Sequence, residues 1–354
     1  MKVLTVIGAR PQIIKAASLS REISQTPGIE EIIVHTGQHF DKNMSHIFFD
    51  QMQIPKPHYN LAVNGLSHGA MTGRMMEKLE EILLNDRPDA VIVFGDTNST
   101  LAGALAASKL HIPVAHVEAG IRSFNKKMPE EINRICTDHC STILFSPNLQ
   151  GIENLKAEGL YDEEKVILTG DIMYDSSLHF LEYSQPPEQE LPERYILATI
   201  HRAENTDGVS KLKEIIEGLN QVNKKIPVVM PLHPRTEKLI IHTGIKVEFQ
   251  TMEPVGYLEM IHLLKNCSMV ITDSGGVQKE AYFFKKPCVT VRDQTEWVEL
   301  VEHGANILAD AMANDIKTKT LHMLNKDINY NLELYGDGHS ARKIVAALLK
   351  LNTA

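Results

Sequence analysis

Short runs of apolar and β-branched residues recur along the chain, and each gives way to a longer stretch with apolar positions at helical spacing. The first run, at residues 2–7, is followed by Gly8-Ala9-Arg10-Pro11 and a helical pattern over 13–24, with Pro11 suited to a first turn. A second run at 31–35 ends in Thr36-Gly37-Gln38-His39, and amphipathic segments cover 43–53 and 68–84. The stretch 90–134 organises the rest. Its apolar runs AVIVF (90–94) and VAHV (114–117) are joined by an alanine-rich helical pattern over 99–109. Strand, helix, strand at this length predicts a right-handed crossover between neighbouring parallel strands. Further strands are expected at 143–145 and 166–168, with a helix over 148–158 between them.

The rhythm breaks at 184–194, SQPPEQELPER, which is rich in Pro and Glu and nearly devoid of apolar residues, so it reads as a linker. Strands are then expected at 195–199, 226–230, 245–249, 269–272 and 287–291, with helices between most of them and a last amphipathic helix over 340–351. Two such series predict an α/β protein of two doubly wound, Rossmann-like domains. The divisions expected are 1–170, 171–335 and a terminal helical piece, 336–354. Ligands in such sheets bind at the carboxyl ends of the strands.

The 354 residues suffice for two domains with real cores. A formal charge of −9 argues against a general nucleic-acid binder but leaves room for a local basic pocket. No apolar stretch approaches the roughly 20 residues of a membrane span, and the first apolar run is too short for a secretory signal. The expectation is a cytoplasmic protein with no membrane association. The four cysteines, Cys136, Cys140, Cys267 and Cys288, read as reduced thiols rather than disulfides or a zinc site. The histidines form no HExxH pattern, and no metal is expected.

Carboxylates mark the strand ends. Asp96 lies in GDTNST, where four capping residue types in a row exceed what one helix cap needs; Ser99 alone could serve as the cap. Glu118 ends an apolar strand, a costly place for a charge unless it is functional or paired, for instance with Arg122. Glu130 and Glu131 follow Pro129, where acidic residues also suit a first helical turn. Arg134, one turn on, could pair with Glu130 or reach a ligand. Asp273-Ser274-Gly275-Gly276 joins a strand to a helix over 277–284, either as an anion site of backbone amides or as a tight turn. Glu280 on that helix could accept both hydroxyls of a ribose, or lie on a solvated face. The chain holds no GxGxxG, which disfavours a dinucleotide fold. Basic residues follow three separate strands: Arg10 and Lys15, His201-Arg202, and His233 with Arg235. Together they suggest a pocket for a diphosphate.

These motifs resemble the non-hydrolysing UDP-N-acetylglucosamine 2-epimerase family from end to end. The matching stretches are GARPQ at Gly8, HTGQH at His35, GDTNST at Gly95, HVEAGIRS at His116, MPEEINR at Met128, IHRAEN at Ile200, TDSGGVQKE at Thr272 and RDQTE at Arg292. The resemblance implies two Rossmann-like domains facing a cleft, in the GT-B manner of UDP-sugar glycosyltransferases. It also implies a terminal helix packed back on the first domain, a homodimer, and no metal or nicotinamide. In that family UDP is eliminated across C1 and C2 of the sugar and re-added with C2 inverted. Asp96, Glu118 and Glu130 resemble the family's catalytic carboxylates, and His201 its histidine near the leaving phosphates. Arg10, Ser274, Gly275, Gly276 and Glu280 resemble UDP-binding positions, and Lys15, Arg134 and His233 join the expected substrate set. Two stretches depart from the common pattern. GARPQ stands where many bacterial members read GTRPE. TGQHFDKNMS replaces a TAQHR-type loop that contributes to an allosteric site in some members, so that site is not carried over. With SFN after Arg122, these variants look like the branch acting on UDP-2,3-diacetamido-2,3-dideoxy-glucuronate, whose C5 carries a carboxylate and whose product feeds surface-polysaccharide synthesis. A glycosyltransferase of the same architecture and a non-enzymatic nucleotide-sugar sensor are the competing readings; the carboxylate set favours the epimerase, since a sensor needs no acid/base groups.

Overall fold

A computed structural model describes residues 1–38 and 54–351. The amphipathic segment expected at 43–53, and most of the TGQHFDKNMS loop, lie outside the described residues. The chain divides into two units, residues 1–179 with 333–354, and residues 180–332.

The first unit is built on a parallel sheet of seven strands: β1 (Lys2–Ile7), β2 (Glu30–His35), β3 (Tyr59–Asn60), β4 (Ala90–Phe94), β5 (Val114–Val117), β6 (Ile143–Ser146) and β7 (Val166–Leu168). Their spatial order is β3-β2-β1-β4-β5-β6-β7. The order reverses between β1 and β4, and this switch point is where side chains at strand ends converge in doubly wound sheets. β4 is buried along its whole length, as a strand covered on both faces must be, which is why AVIVF reads as a continuous apolar run. The helix Asn98–Lys109 lies close on this sheet. A Cβ on its Gly103 would stand 3.0 Å from Val93 and 3.2 Å from Val6, so its small residues are what let it approach.

The second unit repeats the plan with six parallel strands: β8 (Ile196–Thr199), β9 (Val228–Pro231), β10 (Gln250–Met252), β11 (Met269–Thr272), β12 (Cys288–Val291) and β13 (Asn306–Ala309). Their order is β10-β9-β8-β11-β12-β13, with the switch point between β8 and β11.

Three expectations shift. The strand placed at 245–249 lies instead at Gln250–Met252, where it registers with Val229–Pro231; Ile245 and Val247 are apolar because they pack on the core as irregular chain. The edge strand Tyr59–Asn60 and the strand Asn306–Ala309 carry too little apolar alternation to be anticipated. The first unit runs on through the helix Ile172–Leu181 as far as His179. Ser176 on that helix bonds to Ser18 Oγ at 2.8 Å and donates to Ile14 O at 2.9 Å. Asp175 accepts the backbone N–H groups of Ser340 and Ala341 at 3.0 and 2.8 Å, satisfying the start of the helix Ser340–Leu351. That terminal helix packs on the helix Arg10–Gln25, which is thereby braced from behind while its first turns face the strand ends.

Among the described residues no helix is long and apolar enough to cross a membrane, and no group of three or more His, Cys, Asp or Glu could hold a metal ion. The four cysteines are free thiols.

Candidate active site

Asp96 follows β4 across Gly95, which has a φ of 62°, the left-handed region that favours glycine. The helix beyond is capped by Thr97, whose side chain accepts from Thr100 N at 3.2 Å, not by Ser99. Ser99 is buried and bonded to Thr36 and Gln38 instead. Asp96 is therefore not spent on the cap. Its Oδ2 accepts from Arg134 Nη1 at 2.5 Å while the side chain keeps 36% of its exposure. Desolvation by the surrounding protein pushes its pKa up; Arg134 and Lys15 pull against this, and the charges of Glu118 and Glu130 add to it. The charges of Glu118, after β5, and of Glu130, in the first turn of the helix Pro129–Cys140, thus bear on Asp96.

Glu118 follows β5 with a φ of 77°, a strained conformation for a residue with a Cβ. Four bonds hold this turn. Glu118 N and Ala119 N both donate to Phe145 O at 3.0 Å, Gly120 N donates to Asp138 Oδ2 at 3.1 Å, and Asn154 Nδ2 donates to Gly120 O at 2.9 Å. Gly120 has a φ of 81°, and a Cβ there would run into the Gly151 carbonyl. Gly120→Ala is accordingly expected to cost roughly 2–4 kcal/mol from left-handed strain plus backbone overlap, read as a lowered thermal midpoint. The Glu118 carboxylate pairs with Lys15, and both side chains are nearly buried at 11% and 9% exposure. Arg122, the partner considered from sequence, faces Asp138 and Glu158 instead, each at 2.7 Å.

The two glutamates after Pro129 part company. Glu130 is exposed at the head of the helix Pro129–Cys140. Glu131 is buried and accepts from Ser123 N at 2.9 Å, Phe124 N at 2.7 Å and Arg134 Nη2 at 2.7 Å. Burial opposes its charge, but the Ser123 amide and Arg134 outweigh it and hold its pKa down. Arg134 thus ties Asp96 to the Ser123–Phe124 loop, and Phe124 itself is 76% exposed with a φ of 56°. Arg10 opens its helix beside the end of β1, partly exposed.

In the second unit, Asp273 ends β11 fully buried and gathers the turn after β8. It accepts His201 N at 3.1 Å, Arg202 N at 3.0 Å and Asn205 Nδ2 at 3.1 Å, with His201 Nδ1 at 3.5 Å. The His201 ring, 40% exposed, lies 5.8 Å from that of His233. His233 caps the helix Pro234–Thr243 by accepting from Arg235 N through Nδ1, which leaves Nε2 as the proton-bearing nitrogen of the neutral ring. Ser274 is the N-cap of the helix Gly275–Phe283, so Gly275 and Gly276 form its open first turn, with Gly276 exposed. Such a turn presents unpaired backbone amides to an anion. Glu280 is buried, which removes the solvated-face alternative. Glu296 lies against Gly275, 2.9 Å from Arg292 and 4.0 Å from Arg202. Burial works against its charge, but the two guanidinium groups hold its pKa down.

Asp96, Glu118, Glu130, Lys15 and Arg134 form one charged group in the first unit, and His201, His233 and the Ser274–Gly276 turn gather around Asp273 in the second. Sequence reasoning singled out Glu131 and Asp273 without their bonding roles, and missed His116 and Asp138 as parts of the site's frame and Arg292 and Glu296 in the second unit. A signal for two of them existed: Glu131, Arg134 and Asp138 fall at i, i+3 and i+7, one face of a helix, where a buried charged stripe calls for partners.

The family model described as UDP-N-acetylglucosamine 2-epimerase matches residues 21–349. A UDP-2,3-diacetamido-2,3-dideoxy-D-glucuronate 2-epimerase of Pseudomonas aeruginosa is 55% identical over 354 residues, covering 99% of this chain and 100% of the relative. A crystal structure of the Methanocaldococcus jannaschii UDP-GlcNAc 2-epimerase in complex with UDP-GlcNAc and UDP is 42% identical with a TM-score of 0.90, covering 99% of this chain and 100% of that one. The UDP-GlcNAc 2-epimerase of Neisseria meningitidis, bound to UDP-GlcNAc, is 31% identical with a TM-score of 0.89, at 99% and 100% coverage. Acinetobacter baumannii MurG, at 14% identity and a TM-score of 0.57 over 99% of each chain, shares the two-domain GT-B fold.

Proposed function

The chain belongs to the UDP-N-acetylglucosamine 2-epimerase family, and on that footing we propose that its substrate is UDP-2,3-diacetamido-2,3-dideoxy-glucuronate, inverted at C2. The observation that carries this is the 55% identity to an epimerase named for that sugar, against 49% to a UDP-N-acetylglucosamine 2-epimerase homolog and 42% to a UDP-N-acetylglucosamine 2-epimerase. The chemistry follows from the charged group of the first unit. C2–H is not acidic, so a carboxylate must take that proton as the C1–O bond breaks and its electrons leave with UDP. A 2-acetamidoglycal remains. Protonation of C2 from the opposite face and return of the UDP oxygen to C1 complete the inversion, with no net change in composition. The first unit supplies acid and base from Asp96, Glu118 and Glu130, with Lys15 and Arg134 holding them. Within the second unit, His201, His233 and the Ser274–Gly276 amides suit phosphate, and Glu280 suits ribose. No cofactor enters this scheme.

The raised pKa of Asp96 sets a pH expectation. A carboxylate shifted upward by desolvation changes protonation state above the ordinary aspartate value, nearer working pH. The turnover profile should carry an inflection above that value, absent from the residual activity of Asp96→Asn. An identical profile in that variant removes Asp96 from acid/base work. The decisive experiment is incubation of the protein with the diacetamido-glucuronate nucleotide in deuterated water without acceptor. Deuterium at C2 of intact UDP-sugar supports the proposal, and free sugar with UDP as the main products rejects it.

A cytoplasmic homodimer making precursors for a surface polysaccharide completes the reading. Four free thiols suit a reducing compartment, and sedimentation at twice the chain mass would support the dimer.

A further inference from the structure

We propose that Asp138, acting through His116, is a positioning residue for the epimerase reaction: one buried carboxylate sets the spacing between the turn that carries Asp96 and the turn that carries Glu118. The proposal rests on the reading that those two carboxylates react. Asp138 sits on the helix Pro129–Cys140 with 1% exposure. Its Oδ1 lies 2.6 Å from His116 Nδ1, and His116, fully buried in β5, places Nε2 2.8 Å from the Gly95 carbonyl. Gly95 directly precedes Asp96. The other oxygen, Oδ2, accepts Gly120 N at 3.1 Å, two residues beyond Glu118, and faces Arg122 Nη1 at 2.7 Å.

A carbonyl oxygen only accepts, so His116 Nε2 carries a proton. Nδ1 then donates to an ionised Asp138 from an imidazolium, or accepts from a protonated one. In either form the pair closes a continuous link from the Gly95 carbonyl to the Gly120 amide, through two groups that no solvent reaches. Arg122 completes the charge balance and is itself held by Glu158 at 2.7 Å. The link has a mechanical purpose. Glu118 adopts left-handed backbone, which in a residue with a Cβ persists only where the surroundings over-determine it, while Gly95 takes the same region freely and so depends on its bonds to fix its place. Without the link, the reacting carboxylates would lose their common reference, and small misplacements are costly in rate.

The test uses the full chain and three substitutions. His116→Phe keeps the ring's bulk and loses the bond to Gly95. Asp138→Asn keeps the link in another form: its amide oxygen serves Gly120 N and Arg122, and its NH2 donates to Nδ1 of a neutral His116 whose Nε2–H still reaches Gly95. Leu79→Ala, in the apolar core of the same unit, destabilises without touching the link. The expected results are a kcat about 30-fold lower for His116→Phe with UDP affinity within about threefold by calorimetry, and a kcat within about threefold for Asp138→Asn. Leu79→Ala should lower the thermal midpoint at least as far as His116→Phe and leave kcat within about twofold. A kcat for His116→Phe within about twofold of the unsubstituted chain, losses that simply follow the thermal midpoint, or an Asp138→Asn as slow as His116→Phe would each overturn the proposal. If His116→Phe does not fold, His116→Gln provides the reading, with about a tenfold loss of kcat expected and an unchanged kcat overturning it. Normal rates in Asp96→Asn and Glu118→Gln would remove the underlying assignment and this proposal with it. Slow rates in those two beside a normal His116→Phe would remove this proposal alone.

Discussion

Glu118→Gln and Asp96→Asn should each lower turnover by about 10²- to 10⁴-fold, the scale of lost general acid or base help, while UDP binding is expected to persist. The two losses should not look alike in stability. Lys15 is nearly buried and pairs with Glu118, so removing that carboxylate alone leaves a cation in a dry place. Breaking one side of such a pair costs about 3–5 kcal/mol, and Glu118→Gln should therefore melt well below the unsubstituted chain. Asp96 retains solvent access, and its partner Arg134 keeps Glu131, so Asp96→Asn should cost far less. The double variant Glu118→Gln with Lys15→Met separates the effects: the thermal midpoint should recover and turnover should not. A double variant with turnover restored would show that Glu118 acts only as the counter-charge of Lys15, and its catalytic assignment would fall. Deuterium uptake at C2, followed separately from net epimerisation, reports whether each variant fails in removing the proton or in returning it.

What the chain order discloses about this site follows from the architecture. Strands buried on both faces are continuous apolar runs, so AVIVF and VAHV declare themselves, and in a parallel sheet whatever follows them lies at one edge. Asp96 and Glu118 are legible for that reason. Partner choice is not, because the ion pair at Glu118 comes from Lys15, more than a hundred positions away by separation in sequence, while the nearer Arg122 turns the other way toward Asp138 and Glu158. Local rules also offered Ser99 as the cap, since any residue of that type near the helix start would do; tertiary packing gave the cap to Thr97 and drew Ser99 inward to Thr36 and Gln38. The same competition separated Glu130 from Glu131. Both suit a first helical turn, and only the loop Ser123–Phe124 folding back over the helix start makes Glu131 an anchor. His116 was hidden for the opposite reason. A histidine inside a short apolar strand looks like ordinary core, and its link between two turns exists only once β4, β5 and the helix Pro129–Cys140 are stacked.

The second large effect lies in the choice of sugar. The kcat/KM for UDP-2,3-diacetamido-2,3-dideoxy-glucuronate should exceed that for UDP-GlcNAc by at least about 10²-fold, because a site built for polar groups leaves them unpaired when the analogue lacks them. The two sugars differ at C3, where an acetamido group replaces a hydroxyl, and at C5, where a carboxylate replaces a hydroxymethyl group. A further carboxylate among Asp96, Glu118 and Glu130 would be repelled were those charges bare. Lys15 and Arg134 already offset Glu118 and Asp96, which lowers that penalty. UDP-2,3-diacetamido-glucose, with the C3 amide and no carboxylate, divides the effect between the two positions. If it turns over like the uronate, recognition rests on C3; if it behaves like UDP-GlcNAc, the carboxylate is what the site reads. Equal kcat/KM for the uronate and for UDP-GlcNAc would reject the substrate assignment and leave the family's C2 inversion in place.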